Sequence, residues 1–295
     1  MTLRVGVVGV VGAGAMGATH AEAWRGLGAH VALHSRRPPT ELADQLGATV
    51  APTFDDLLGS VDLVDICTPT PTHPDLVRAA VAAGRPVVCE KPLARTAADA
   101  ADLAEAADAA GVLLVPAHVV RFFAAYRRLH RAIQTGELGT VSTAHFTRQV
   151  AAPATGTWFR DDERSGGVVL DLMLHDLDQA LWHFGPVDEV TASSLGAGDD
   201  SVRARLVHTS GVTTTVEATW GPQRTAFATT FSVVGDDGTM TSDSRREPAQ
   251  TDSPYLDQLR EVRRAVETGS PVRVSARDGV EAVALAERVL DAVRE

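Results

Sequence analysis

Lysine is almost absent from this 295-residue chain: of its 27 basic residues, all but Lys91 are arginine. Cysteine is scarce too. Cys67 and Cys89 both fall inside apolar runs that read as buried strands, which excludes a disulfide framework or a cysteine-built zinc site and leaves them as small core residues. No run of about 18 apolar residues is present that could cross a bilayer, and the apolar stretch MTLRVGVVGVVGAGAMG has no signal-peptide cleavage site, so a cytoplasmic protein is expected. Positive charge is not in excess either. A net charge of −11 and a pI near 5.3 argue against nucleic acid or an anionic membrane as the main partner. What the chain does have is 44% hydrophobic residues and a length that suits about two domains, each with its own core.

From residue 3 to about 118, short Val-rich runs alternate with Ala- and Leu-rich stretches of helical periodicity, the rhythm of a parallel sheet covered on both faces. Strands are expected at 3–11, 30–34, 48–51, 62–67, 86–89 and 112–117. Thr53 with Asp56, and Thr96 ahead of AADAADLAEAA, have the character of helix N-caps, while Gly47, Gly84 and Gly111 stand where helices should end. One irregularity is GVV in tandem at 6–11. Three extra residues do not fit a period-two strand, so the strand either begins outside the sheet or carries a bulge at Gly6 or Gly9.

After about residue 120 the pattern changes. A helical stretch at 122–135 precedes runs of period-two alternation such as SVRARLVH and VTTTVEATW, separated by Thr209, Ser210 and Gly211, and a second turn is expected at 235–238. Such strands predict an open, mainly antiparallel sheet with one face available to helices or to another subunit. A helix near 167–184 interrupts it, and helices at 254–268 and 276–294, the latter capped by Ser275, close the chain. The expected organisation is an α/β domain with a doubly wound parallel sheet at 1–119 and an α+β domain at 120–295.

Gly12-Ala13-Gly14-Ala15-Met16-Gly17 follows a strand and opens a helix, the context in which GxGxxG binds a dinucleotide. The first glycine permits the tight turn, the second lets pyrophosphate approach the backbone of Gly14, Ala15 and Met16, and the third lets helix and strand pack. At the end of the second strand, where a carboxylate would hold the ribose of NAD, stand Ser35, Arg36 and Arg37, with no carboxylate before Glu41. A forked guanidinium suits the 2′-phosphate of NADP, which is therefore the expected cofactor. NAD is the alternative, with the arginines then a basic surface loop.

Glu90-Lys91-Pro92 follows the fifth strand, at the carboxyl edge where doubly wound sheets bind ligands. An ammonium there can hydrogen-bond a substrate hydroxyl, and burial can shift a lysine's pKa where it effectively cannot shift an arginine's. In a chain that uses arginine elsewhere, the retained lysine marks a position where guanidinium will not serve; survival by drift in a biased composition is the plain alternative. Asp171, His175 and Asp178 recur at i, i+4 and i+7 on one helical face. A histidine is suited to proton transfer and Asp171 one turn earlier can orient it, although such a stripe also suits a solvated face. Arg121 closes the sixth strand and either binds a polar substrate or makes an interdomain salt bridge. Trp158, in a loop ahead of Gly166-Gly167, either walls a pocket or simply packs.

With these segments in order, the chain resembles the glucose-fructose oxidoreductase, inositol dehydrogenase and rhizopine catabolism (GFO/IDH/MocA) family. GAGAMG, ICTPTPTHPD, VVCEKPLA, HVVRFFAAYRRL, TGELG, SGGVVLDLMLHDLD and SARDGVEAVALAERV carry the resemblance over nearly the whole chain, and EKP followed some 80 residues later by D-x-x-x-H is its specific part. The resemblance implies an N-terminal Rossmann domain and a C-terminal domain on an open sheet through which members pair as homodimers or homotetramers. Lys91 matches the family's EKP lysine, Asp171 and His175 its catalytic pair, and Asp178 a frequent substrate contact; Thr68, Pro69, His73 and Glu90 match positions that line the cofactor. Met173 departs from the pattern, since relatives often carry glycine there, and its bulk next to His175 is expected to reshape the pocket. The implied activity is an NAD(P)-dependent dehydrogenase or reductase of a polyol, cyclitol or sugar, with no metal. Relatives also suggest a tightly bound nicotinamide used without net redox change, or a non-enzymatic cofactor sensor; Lys91, Asp171 and His175 argue against the sensor, which needs no proton relay.

Overall fold

In a computed structural model, which describes residues 3–9, 15–196, 198–247 and 253–295, the chain divides into two compact units. The first comprises Met1–Ala94, Ala98–Phe122 and Asp252–Val280, and the second Arg95–Ala97, Phe123–Thr251 and Glu281–Glu295.

The first unit is built on strands β1 (Arg4–Gly9), β2 (His30–His34), β3 (Thr49–Val50), β4 (Leu63–Cys67), β5 (Val87–Cys89) and β6 (Leu114–Pro116), all parallel, in the order β3-β2-β1-β4-β5-β6. Each lies inside its expected window. Helices α1 (Ala15–Gly26), α2 (Thr40–Leu46), α3 (Phe54–Ser60), α4 (His73–Ala82) and α5 (Ala97–Ala110) alternate with them. Side chains alternate across a strand, so the core is split by the sheet. Val5, Leu33, Leu63 and Val88 join Ala21 and Trp24 of α1 on one side. Val64, Ile66 and Val87 join Leu57 of α3, Val77 of α4 and Leu103 of α5 on the other. Cys67 and Cys89 fall in opposite layers, both buried, and burial pushes both thiols up in pKa. Leu259 and Val262, from the late segment at 253–280, also belong to the first layer, which is why that segment joins this unit.

The punctuation expected from sequence is in place. Thr53 and Asp56 form a reciprocal capping box on α3, and Gly47 ends α2 at φ 58°, a left-handed conformation that glycine adopts without steric cost. Strand β1 runs in continuous register against β2 through Val8 and against β4 through Gly9, so it begins within the sheet and has no bulge at Gly6; Val10 and Val11 of the tandem GVV, and with them a bulge following Gly9, lie outside the described residues.

The second unit carries a mixed sheet of β7 (Val141–Ala151), β8 (Val187–Gly196), β9 (Gly198–His208), β10 (Thr213–Gly221), β11 (Ala228–Gly235) and β12 (Gly238–Asp243), in the order β12-β11-β7-β10-β9-β8. Every neighbouring pair is antiparallel except β7 and β10. The β9–β10 and β11–β12 hairpins follow the expected turns. Alternation did not delimit β7 and β8: the inward row of β7 is Ala144, Phe146 and then Arg148, a buried guanidinium where the pattern calls for an apolar residue, and β8 is a polar edge strand. Helices α6 (Ala124–Gln134), α7 (Asp162–Ser165) and α8 (Leu174–Phe184) belong here, α6 supplying Tyr126 against Phe146 and Phe231. The opposite sheet face is polar, with Arg203 donating to Glu217 at 2.7 Å and His145 3.3 Å from the same carboxylate, and it bounds a shallow depression of about 510 Å³. Helices α9 (Pro254–Thr268) and α10 (Ala276–Arg294) close the chain, the latter capped by Ser275, whose Oγ accepts the Asp278 N–H at 3.3 Å while Asp278 Oδ2 accepts the Ser275 N–H at 2.7 Å.

Candidate active site

The strand order places a switch point between β1 and β4, from which the chain leaves in opposite directions along the sheet. Register brings the carboxyl ends of three strands together there: His34 of β2 lies beside Val8 of β1, and Gly9 of β1 beside Cys67 of β4. Ser35, half-buried, and Arg36 and Arg37, both exposed, follow β2; Thr68 and Pro69, half-buried, follow β4. Gly12 and Gly14 lie outside the described residues. Ala15, exposed, and Met16, half-buried, open α1, whose first N–H groups have no partner within the helix and favour an anion. A helix start and exposed guanidinium groups at the carboxyl edge of the sheet are chemistry that a dinucleotide phosphate needs, so these residues fit a nicotinamide cofactor.

Glu90 and Lys91 continue from β5, registered against Ile66 of β4 through Cys89, at the same sheet edge. Lys91 is half-buried and its N–H donates to Glu90 Oε2 at 3.0 Å. His73, wholly buried at the start of α4, stands with Nδ1 2.9 Å from the Pro92 carbonyl and Nε2 2.8 Å from the Thr68 carbonyl, so it ties the loop after β4 to the one that carries Lys91. Burial pushes its pKa down and the two carbonyl acceptors oppose that shift. His73 is thus a buried brace between those loops.

Behind Glu90 lies a group that sequence reasoning did not single out. His20 of α1 places Nδ1 2.9 Å from Asp65 Oδ2, Trp24 Nε1–H donates to that oxygen at 2.7 Å, and Cys67 Sγ–H donates to Asp65 Oδ1 at 3.4 Å. His20 Nε2 is 3.3 Å from Glu90 Oε1, an ion-pair separation without hydrogen-bond alignment. Burial disfavours charge on His20, yet the adjacent Asp65 outweighs it and holds the ring well above the ordinary histidine pKa. Burial would likewise raise Glu90, but His20 and Lys91 bring it below the usual carboxylate range. Ligand atoms of His20, Asp65 and Cys67 lie within 4.8 Å of one another, but the Asp65 oxygens already accept hydrogen bonds, so the trio reads as a polar cluster rather than a cation site. The signal was available: Asp65 interrupts the apolar strand LVDIC, and a carboxylate in a fully buried strand requires partners.

Arg121 is not at this edge as a substrate ligand. It is 2% exposed, pairs with Asp278 Oδ1 at 2.9 Å and donates to the Arg273 carbonyl at 3.1 Å, all within the first unit, so its guanidinium staples the segment before α10 rather than bridging units.

Asp171, His175 and Asp178 belong to the second unit. Val169–Met173 is a π-helical turn leading into α8, so the stripe is not the regular α-helical face that its spacing suggests. Asp171 and His175 are half-buried, whereas Asp178 is 1% exposed and accepts from Gln179 Nε2 at 3.2 Å. Such π turns recur at functional sites. Gly166 at φ 76° precedes this one, and a Cβ there would meet the Leu170 side chain at 2.2 Å, so only glycine fits. Met173 is wholly buried and packs in the interior of this unit. Trp158 is half-buried and stacked on Phe159 at 4.1 Å, and the Ser165 hydroxyl pins this turn by donating to the Phe159 carbonyl at 2.8 Å.

Comparison with known proteins agrees with this geometry. Residues 7–118 match the NAD-binding Rossmann-fold model of an oxidoreductase family, and residues 126–241 match the GFO/IDH/MocA C-terminal domain. The chain belongs to the GFO/IDH/MocA oxidoreductase family. This family member is 29% identical to inositol 2-dehydrogenase of Rhizobium meliloti (strain 1021), over 100% of its own length and 98% of the relative's. It is 28% identical to D-xylose 1-dehydrogenase (NADP(+)) 2 of Haloferax volcanii, over 99% and 97% of the two chains. Among solved structures, GenD2 from gentamicin A biosynthesis in complex with NAD is 28% identical, with a TM-score of 0.87 and coverage of 100% and 95%. The GFO/IDH/MocA chain is therefore an NAD(P)-dependent oxidoreductase acting on CH–OH groups. Among its described residues no helix is long and apolar enough to cross a membrane.

Proposed function

We propose that this protein transfers hydride between a nicotinamide cofactor, NADP in preference to NAD, and a secondary alcohol or carbonyl of a polyol, cyclitol or sugar. The observation that carries the reading is the chain's single lysine, half-buried in Glu90-Lys91-Pro92 at the ligand edge of a dinucleotide-type sheet. When bound, the nicotinamide supplies the hydride acceptor or donor. Lys91 Nζ holds the substrate oxygen, His175 takes the hydroxyl proton in the oxidative direction, and Asp171 orients His175. Gly12, Gly14, Ala15 and Met16 cradle pyrophosphate, Thr68, Pro69, His73 and Glu90 frame the cofactor, and Trp158 and Asp178 shape the substrate side. Exposed Arg36 and Arg37, beside Ser35 and ahead of any carboxylate, support NADP. The names of the relatives, inositol and xylose dehydrogenases, support the substrate class. The polar open face of the second sheet supports a homodimer or homotetramer, and use of a diffusible nicotinamide supports a cytoplasmic setting.

A spectrophotometric screen of NADP and NAD against inositols, hexoses and pentoses, in both directions, tests the reading. Turnover is expected with at least one polyol or sugar. No turnover with any, in a protein that retains nicotinamide through purification, would sink it.

A further inference from the structure

We propose that His20 is a positioning residue for Lys91: held between Asp65 and Glu90, it fixes the carboxylate that accepts the Lys91 N–H and thereby sets where the Lys91 ammonium stands. The inference rests on the reading of Lys91 as the group that holds the substrate oxygen.

Three elements meet at His20. It is carried by α1, the helix that opens directly after the glycine loop; its Nδ1 faces Asp65 in the middle of β4; its Nε2 faces Glu90 at the end of β5. An ionised carboxylate only accepts, so a ring with a carboxylate at each nitrogen is best satisfied with both nitrogens protonated. That cation lies between two anions, with Lys91 next in the chain. Removing its charge leaves two carboxylates, 0% and 7% exposed, facing each other with no cation between them. Carboxylates that cannot both stay ionised must rearrange or take up a proton. The most mobile member is Glu90, because Asp65 is held by Trp24 and Cys67 as well as by His20, while Glu90 also accepts the backbone N–H of Lys91. The movement therefore falls on the peptide that bears Lys91.

A proton path to solvent is a poorer account of the same cluster. His20 and Asp65 are both 0% exposed and Cys67 is buried, so a proton passed inward from Glu90 meets no exposed carboxylate or thiol. The groups that face His20 are Asp65 and Cys67 from β4, Glu90 from β5 and the Tyr255 ring of α9 at 6.0 Å. Of these, Asp65 is wholly buried and Cys67 and Glu90 nearly so, while Tyr255 is half-buried and meets His20 through a tilted ring contact.

The test exploits the single lysine. An acetylating reagent labels only Lys91 and the N-terminal amine among the chain's amines, and peptide mass spectrometry separates them, so the N-terminus is an internal control. In folded His20→Gln, Lys91 labelling should depart from wild type while N-terminal labelling does not, and kcat should fall on the order of 10- to 100-fold with the cofactor KM little changed. Wild-type labelling of Lys91 overturns the proposal, whatever happens to kcat. Altered labelling with wild-type kcat upholds the link between His20 and Lys91 and removes Lys91 from the proposed chemistry instead. Should His20→Gln not fold, Glu90→Gln keeps an acceptor for the Lys91 N–H but drops the charge, and the same labelling change is expected. In the unmodified protein, nitrogen-15 NMR of His20 should show both ring nitrogens protonated at neutral pH. A neutral ring overturns the proposal without any variant.

Discussion

Both units bury charge, but the buried sets end differently. In the parallel-sheet unit, His20 and Asp65 are sealed in the core, and the set continues through Glu90 to half-buried Lys91 at the ligand edge. In the second unit, Arg148 donates from Nε to Asp176 Oδ2 at 2.8 Å and from Nη2 to Oδ1 at 2.9 Å, Tyr126 OH adds a 3.3 Å donation, and all three residues are buried. The bidentate fork gives each carboxylate oxygen a guanidinium donor, and the set continues through Tyr126 to the Thr229 side chain rather than to a sheet's ligand edge. Buried polarity alone therefore does not mark a functional site. What separates the two is whether the chain of partners ends at the sheet edge where a doubly wound fold binds its ligand.

That contrast can be broken in four ways. The largest effect is expected at the open end: Lys91→Ala should lower kcat by about 10²- to 10⁴-fold with little change in thermal midpoint, and His175→Ala likewise, as steady-state kinetics and a melt will read. At the closed network the pattern should invert. Arg148→Met leaves Asp176 buried without its cation and should cost about 3–5 kcal/mol of stability in urea titration, with turnover per folded molecule retained. Wild-type stability of Arg148→Met would remove the distinction between the two sets.

A third effect lies at the cofactor edge. Arg36→Glu should weaken NADPH binding by roughly 10- to 100-fold and spare NADH, read by fluorescence titration. The smallest separates wild type from His20→Gln by pH. The folded pKa of His20 is raised above its ordinary 6.5, so its stabilisation is present in full below about 6.5 and lost as pH climbs through the raised value. The urea midpoint of wild type should fall toward that of the variant on the alkaline side, at no more than about 1.4 kcal/mol per pH unit. A gap that widens with pH would contradict the charged state assigned to His20.

Much of this molecule was legible as local pattern. Hydrophobic periodicity located the six parallel strands, glycine and capping residues located helix ends, and GAGAMG with EKP located the ligand edge, because each depends on neighbours a few residues apart. Where the pattern failed, a charged side chain stood in an inward row: Arg148 hid β7, and Asp65 in β4 drew no attention although it organises the cluster behind Lys91. The Asp171 and His175 spacing was read as regular helix because a π turn leaves no local signature in residue type.

The sequence by itself determined the class of fold, the side each strand residue faces and the residue types available for chemistry. Only the tertiary structure decided partners. Arg121 meets Asp278 across 157 residues, Arg148 meets Asp176 across 28, and His20 meets Asp65 across 45. The physical reason is that periodicity states how deep a side chain is buried, whereas pairing of buried charges is set by which elements the sheet order brings side by side.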